Sequence, residues 1–269
     1  MRNFALPLLW AFLCCSLMLI APEAKAQIAR PEQVQPAQVK PADAEQLFAL
    51  ANLARLHEGL GTLKWDPALA EAARKHCLRM ASEGPIAHRY GGEPSLTERA
   101  AADGARFSLI EENIAVGPSP DAINEEWLHS PPHRANLLNP KVNRIGAAIV
   151  ASRGTLYAVE DFSTAVEELS QAQVERHVAD LIRPSGLKIL GNPVEARQAC
   201  KVDEGMPPAR PGMYPRFLMR WQSASLDELP KQLTQRLASG DFHSAAVGSC
   251  APEGAKDSFS AYRVAVVLY

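Results

Sequence analysis

The chain of 269 residues carries 28 Lys and Arg against 30 Asp and Glu, with 47% apolar and 6% aromatic residues. That balance suits one large or two modest globular domains and excludes collagen-like, coiled-coil and wholly disordered organisation. A formal charge of −2 leaves no basic excess to neutralise a phosphate backbone, so no nucleic acid is expected as a partner.

Arg2 precedes an apolar run from Phe4 to Ala21, which is followed by Ala24-Lys25-Ala26. This pattern predicts a signal peptide over residues 1–26, cut before Gln27, and a secreted or periplasmic destination. No later stretch has the length and apolarity of a membrane span, so no transmembrane segment is expected after cleavage. Cleavage would remove Cys14 and Cys15, neither of which has the surroundings of a lipidated cysteine, and leave Cys77, Cys200 and Cys250. An exported chain can hold a disulfide, and the two distal cysteines, Cys200 and Cys250, are the expected pair, with Cys77 free.

Residues 27–42 space Pro31, Pro36 and Pro41 evenly among few large apolar residues and predict a proline-rich linker. From Asp43, apolar residues recur at helical spacing through Leu47, Leu50, Ala51 and Ala54 until Gly59 and Gly61. Asp66-Pro67 opens a second helix running to Gly84, with the aspartate as N-cap and the proline at the first helical position. Ser95 and Glu98 form a capping box for a short third helix ending near Gly104. A fourth starts at Ser119-Pro120 and carries Ile123 and Trp127 to a stop at Pro131-Pro132. RIGAAIV and TLYAVEDF then read as a hairpin.

A second pattern starts beyond Ala165. It comprises a helix over 167–182, a short strand near 187–190, a helical stretch over 194–200, a strand in PRFLMRWQSA, a helix in LDELPKQLTQRLASG, and closing strands in SAAVGSC and SAYRVAVVLY. Residues 43–165 and 166–269 are therefore expected as two domains, the second a small α+β unit of a size able to support its own core.

Several motifs in the first of these, between Leu47 and Phe162, occur in a fixed order. They are Asn52 and Arg55 on the first helix, LKWDP at 63–67, His88, EENIA at 111–115, WLHSPPHRANLL at 127–138, and the Ile145-Gly146 pair. Together they resemble the CAP superfamily, also called the SCP domain, in its bacterial form. The resemblance implies a CAP-type α-β-α sandwich whose groove carries two histidines and, in animal and plant members, two glutamates; it says nothing about residues 167–269, where the small α+β C-terminal domain is expected from the element pattern alone. His88, Glu112 and His133 fit three of those four positions, whereas Ser130 stands where a second glutamate would be.

Two imidazoles and a carboxylate make a plausible three-ligand site for Zn2+ or another divalent metal, with positions left for water. The plainer alternative is a hydrogen-bonded polar groove in which Glu112 orients nearby backbone. Asn113 and Arg134 adjoin these residues, and scaffolding is the simpler reading for both. Ser130 has no nucleophile-elbow context and suits a helix end. Cys77, in an apolar helical setting, reads as an inert core residue, and His76 as packed or hydrogen-bonded. Two functional classes stay open. One is an envelope or extracellular binding module for a lipid, glycan, peptide or envelope protein. The other is a metal-dependent, peptidase-like hydrolase using His88, His133 and Glu112.

Overall fold

The computed structural model describes Met1 and residues 37–209, 212–252 and 259–269. The expected signal peptide and the greater part of the expected linker lie outside the described residues. The linker's last residues are part of the fold: β1 (Gln38–Val39) pairs with β4 at Val150 and Ala151, and α1 (Pro41–His57) starts at Pro41 rather than Asp43. Pro41 supplies a fixed φ at a helix start and needs no N–H partner there, so the helix extends back over a residue that composition assigns to the linker.

The first sheet contains β1, β2 (Lys64–Trp65), β3 (Phe107–Gly117), β4 (Arg144–Ser152) and β5 (Thr155–Ala165). Its order is β1-β4-β5-β3, with β2 also on β4. The hairpin of β4 and β5 is antiparallel and in continuous register, from Arg144 opposite Ser163 to Ser152 opposite Thr155. Alternate residues of these strands point to opposite faces and meet different helices. Ile114, Ala148, Val150 and Val159 pack on Ala73, Cys77 and Met80 of α2 (Pro67–Glu83). Ala115, Ala147, Ile149 and Ala158 pack on Leu47 of α1 and on Ile123 and Trp127 of α4 (Pro120–His129). The result is helix on sheet on helix.

The fourth helix ends at His129 as expected, but Pro131 and Pro132 open a further short helix, α5 (Pro131–Leu137). Prolines tolerate the first helical turn, so a Pro pair that stops one helix also starts the next. The expected N-caps are present. Ala68 and Leu69 N–H donate to Asp66 Oδ1 at 2.9 and 3.3 Å, and Ser95 and Glu98 complete a capping box on α3 (Leu96–Ala102). Gly146 is required by close approach, because a Cβ there would stand 2.1 Å from the Ala70 nitrogen of α2.

The second sheet has the order β6 (Lys188–Ile189), β8 (Ser244–Cys250), β9 (Tyr262–Leu268), β7 (Phe217–Ser223). One face buries Val174, Val178 and Ile182 of α6 (Gln171–Ile182) and Leu233 and Leu237 of α8 (Lys231–Ala238). The other takes α7 (Val194–Cys200) through Ala196, Ala199 and Cys200. The helix expected over 167–182 starts later, at Gln171, where Ser170 and Gln173 form a capping box. The Cys200–Cys250 disulfide joins α7 to the end of β8, across a separation of 50 residues.

Candidate functional site

Three segments bring the site together. His88 follows α2 on the loop after Gly84, Glu112 lies on β3, and His133 is on α5. The α5 segment is stitched to β3 by amides. Asn113 Nδ2 donates to the His133 carbonyl at 3.1 Å, and Asn136 Nδ2 donates to Asn113 Oδ1 at 3.0 Å and to the Glu112 carbonyl at 3.1 Å. The far end of α5 is held by Arg55 of α1, whose buried guanidinium donates to the carbonyls of Leu137 and Asn139, both at 2.9 Å. The Leu137 carbonyl is among the acceptors a helix end leaves without intrahelical partners, and that of Asn139 lies just beyond it. Asn52 pairs with the Leu63 backbone, as donor to its carbonyl at 3.2 Å and acceptor from its N–H at 2.6 Å. Asn52, Arg55 and Asn113 are thus scaffold. Arg134 makes an exposed pair with Glu58 at 2.6 Å.

At the centre, the Glu112 carboxylate is buried and both its oxygens are engaged. Oε1 meets His88 Nδ1 at 2.8 Å, and Oε2 accepts from Arg99 Nη2 of α3. Arg99 Nη1 also donates to the His88 carbonyl at 3.1 Å, tying the loop down. The His88 ring is 59% exposed at its side chain, so its other edge is open to solvent. The hydrogen bond to Glu112 raises the His88 pKa above its ordinary value, against a smaller opposing effect of burial. His133 is shifted the other way, first by burial and then by the charge of His88, and its Nδ1 is buried with no hydrogen-bond partner among the described residues. The two rings are therefore shifted in opposite directions, His88 toward the cation and His133 toward the neutral form.

A buried polar layer supports this pair. His76 Nδ1 meets Glu93 Oε1 at 2.7 Å and Nε2 faces the Ala87 carbonyl at 3.0 Å, which fixes the loop 85–93 against α2. Burial pushes Glu93 up, but His76 and the Tyr90 amide together bring it below its usual range. Asp161 stands opposite Glu112 in the β3–β5 register, and Glu160 opposite Asn113. Both acids are fully buried, and among the described residues no N–H or O–H donor reaches their four carboxyl oxygens. Burial holds both protonated well above the usual carboxylate range, and the Glu112 charge adds to this at Asp161. Asp161 shares the Glu112 face of the sheet, whereas Glu160 points to the opposite face.

The structure joins His88 and Glu112 directly and seats His133 within electrostatic reach of His88. Ser130 sits at the junction of α4 and α5, and its side chain makes no cap hydrogen bond. Cys77 is buried, with its thiol pushed up to about 12 by burial. Among the described residues, no group of three or more His, Cys, Asp and Glu is arranged to hold a metal ion.

The sequence reasoning missed Arg99, Glu160 and Asp161. A signal was present for the acids, since Glu160-Asp161 interrupts an otherwise apolar, β-branched strand. Arg99 follows the capping-box Glu98 and could be read as an ordinary solvent-facing helix residue.

Helices on both faces of a five-stranded sheet, with His88 bound to a buried glutamate of β3 and His133 on α5, form a CAP-type α-β-α sandwich. Residues 48–164 match the family model of the cysteine-rich secretory protein family, CAP, and the chain carries a CAP domain over that segment. Among curated proteins, it is 29% identical over 109 residues to an uncharacterized protein, YkwD, of Bacillus subtilis (strain 168), covering 40% of this chain and 42% of that protein. It is 34% identical over 110 residues to an uncharacterized membrane protein, YlbC, of the same organism, covering 39% of this chain and 31% of that one. The chain thus spans less than half the length of either relative.

Among solved structures, an extracellular SCP-domain protein of Bacillus anthracis is 28% identical, with a TM-score of 0.42, over 46% of this chain and 41% of that one. An outer surface protein of Borrelia burgdorferi is 22% identical, with a TM-score of 0.44, over 46% of this chain and 93% of that one.

Proposed function

We propose that the CAP domain is the binding module of an exported envelope or extracellular protein, with His88 and His133 as its contact groups, rather than a hydrolase. The observation that carries this reading is the full engagement of Glu112. A general base needs a carboxylate free to take a proton from water, and here one oxygen holds His88 and the other holds Arg99. Of the other acids on this face, Glu93 is held by His76 and the Tyr90 amide, and burial raises the Asp161 pKa well above the ordinary carboxylate range. Exposed imidazole edges suit a hydrogen-bonding ligand such as a glycan or peptide better than a lipid.

A divalent ion such as Zn2+ fits the donor set in part. His88 turns Nδ1 to Glu112, which leaves Nε2 as its free nitrogen, and His133 offers a buried Nδ1 without a partner. Glu112 then acts as the carboxylate that orients a ligating histidine rather than as a third ligand. When bound, such an ion would supply a Lewis-acid centre that a ligand oxygen can reach. Because Glu112 raises the His88 pKa, proton competition starts above pH 6.5, and metal affinity falls as pH drops through the raised value.

Calorimetric titration of the protein with zinc tests this at mildly alkaline pH. Wild type takes up zinc, His88→Ala and His133→Ala lose it, Glu112→Gln weakens it about 10- to 100-fold, and Ser130→Ala leaves it unchanged. Wild type also leaves ester, peptide and peptidoglycan substrates intact. Failure to bind zinc would remove the metal from the reading. Turnover of any of these substrates that His88→Ala abolishes would replace the binding module with the hydrolase.

A further inference from the structure

A second cavity, of about 490 Å3, lies where the start of β3 meets the second sheet, away from His88 and His133. Its lining carries three cations, Arg106, Lys201 and Arg263, and one acid, Glu168, with Ser249 and Tyr262 among the other polar residues. Arg263 is already committed in part, donating to Asp203 Oδ1 at 2.6 Å. Arg106 is not: its Nε is buried and has no hydrogen-bond partner among the described residues. Nε is sealed from the cleft, so it is the terminal N–H groups of this guanidinium, which lines the cleft and makes no ion pair among the described residues, that a ligand can reach.

The walls are fixed in place. The Val166 N–H donates to the Arg106 carbonyl at 2.9 Å, and the Ser260 N–H donates to the Phe107 carbonyl at 2.8 Å. The Tyr262 hydroxyl donates to the Glu167 carbonyl at 2.7 Å, and Ser249 Oγ donates to the Gln171 carbonyl at 3.2 Å. The disulfide ties Cys200, the neighbour of Lys201, to Cys250, the neighbour of Ser249. The backbone that carries the cations is therefore held in place.

We propose that this cleft is a binding site for a small organic oxyanion, a carboxylate or phosphate ester, anchored by Arg106 and Lys201. The fork of N–H groups on Arg106 matches either anion, and Lys201 adds a point charge. Glu168 disfavours a simple multivalent ion that fills the whole cleft and instead favours an anion whose neutral polar body lies on the Glu168 side. The proposal is independent of any metal or ligand at His88.

Amide NMR of the full chain tests it, with glycerol 3-phosphate and glycerate as probes. Either probe is expected to shift the amides of Arg106, Ser249 and Tyr262 in a saturable way. Arg106→Gln should weaken binding about tenfold, the loss of one charge-assisted hydrogen bond. Lys201→Gln, at an exposed position, weakens it similarly and guards against a folding artefact. Lys231→Gln on α8 removes the same charge outside the cleft and should leave binding unchanged. Saturation by one probe alone assigns the phosphate or carboxylate class. The proposal is overturned if neither probe moves these amides, or if Lys231→Gln weakens binding as much as Arg106→Gln, which would reduce the effect to overall charge.

Discussion

Arg99→Met is the most informative perturbation of the buried layer, because it keeps the side chain's bulk and removes its charge. Arg99 and Glu112 are 5% and 3% exposed at their side chains, so their pairing is almost free of solvent screening. Without the guanidinium, Glu112 keeps only His88 as a close partner, at 2.8 Å, with His76 Nε2 at 3.9 Å and the buried Asp161 opposite. Removing one partner of a buried ion pair costs about 3–5 kcal/mol, mostly from the charge left behind. That is a large part of the stability of an ordinary domain. Glu112→Gln removes the stranded charge, so the double variant should recover about 1–3 kcal/mol relative to the sum of the single ones. Urea unfolding at pH 7, read by the fluorescence of the fully buried Trp127, gives each value. The same variants should move His88 in opposite directions: up when Arg99 is lost, because its charge lowers the His88 pKa, and down when Glu112 is lost. If Arg99→Met costs less than about 1 kcal/mol, or if the two substitutions add, the buried pair is not what holds this loop to the sheet.

Three further outcomes are expected. Replacing Cys200 and Cys250 by alanine removes a cross-link spanning 50 residues and should cost about 4 kcal/mol on the chain-entropy account; a thermal melt unchanged from wild type would contradict it. Gly146→Ala places a Cβ 2.1 Å from the backbone of α2 and should cost about 3 kcal/mol or more as helix and strand are forced apart, measured by the same urea titration. Glu160 is held protonated by burial, so its contribution to stability is complete below the unfolded carboxylate range and is lost as pH rises toward its folded value. Glu160→Gln should therefore stabilise the protein at pH 8 by more than at pH 4, and a constant difference across that range would contradict a buried neutral acid.

The helices and hairpins were legible because their signals are local. Asp66-Pro67, Ser95 with Glu98, and the two apolar runs around Arg153-Gly154 each announce an element by its own chemistry. What the sequence concealed depends on neighbours far along the chain. β3 contains Glu111, Glu112 and Asn113, polar residues that no strand periodicity favours, and it becomes a strand because it pairs with β5 along its length. The family resemblance placed His88, Glu112 and His133 together, but it could not show that Arg99 occupies the second oxygen of Glu112. That contact joins α3 to β3 and exists only once both pack on α2. The prolines at 131 and 132 illustrate a third case, in which one local signal is compatible with both the end of one helix and the start of another.

The central claim is that Glu112 is committed to His88, leaving two histidines of opposite protonation preference. Long-range 15N–1H NMR of the two rings across a pH titration tests it most directly. His88 should titrate above 6.5, with Nδ1 carrying a proton on both sides of its transition, and His133 below 6.5. The corresponding stability contributions run in opposite directions: that of His88 is full below pH 6.5 and fades as pH rises through its folded value, and that of His133 is full above 6.5 and fades as pH falls. A His88 that titrates at or below 6.5, or that carries its neutral-form proton on Nε2, would contradict the account.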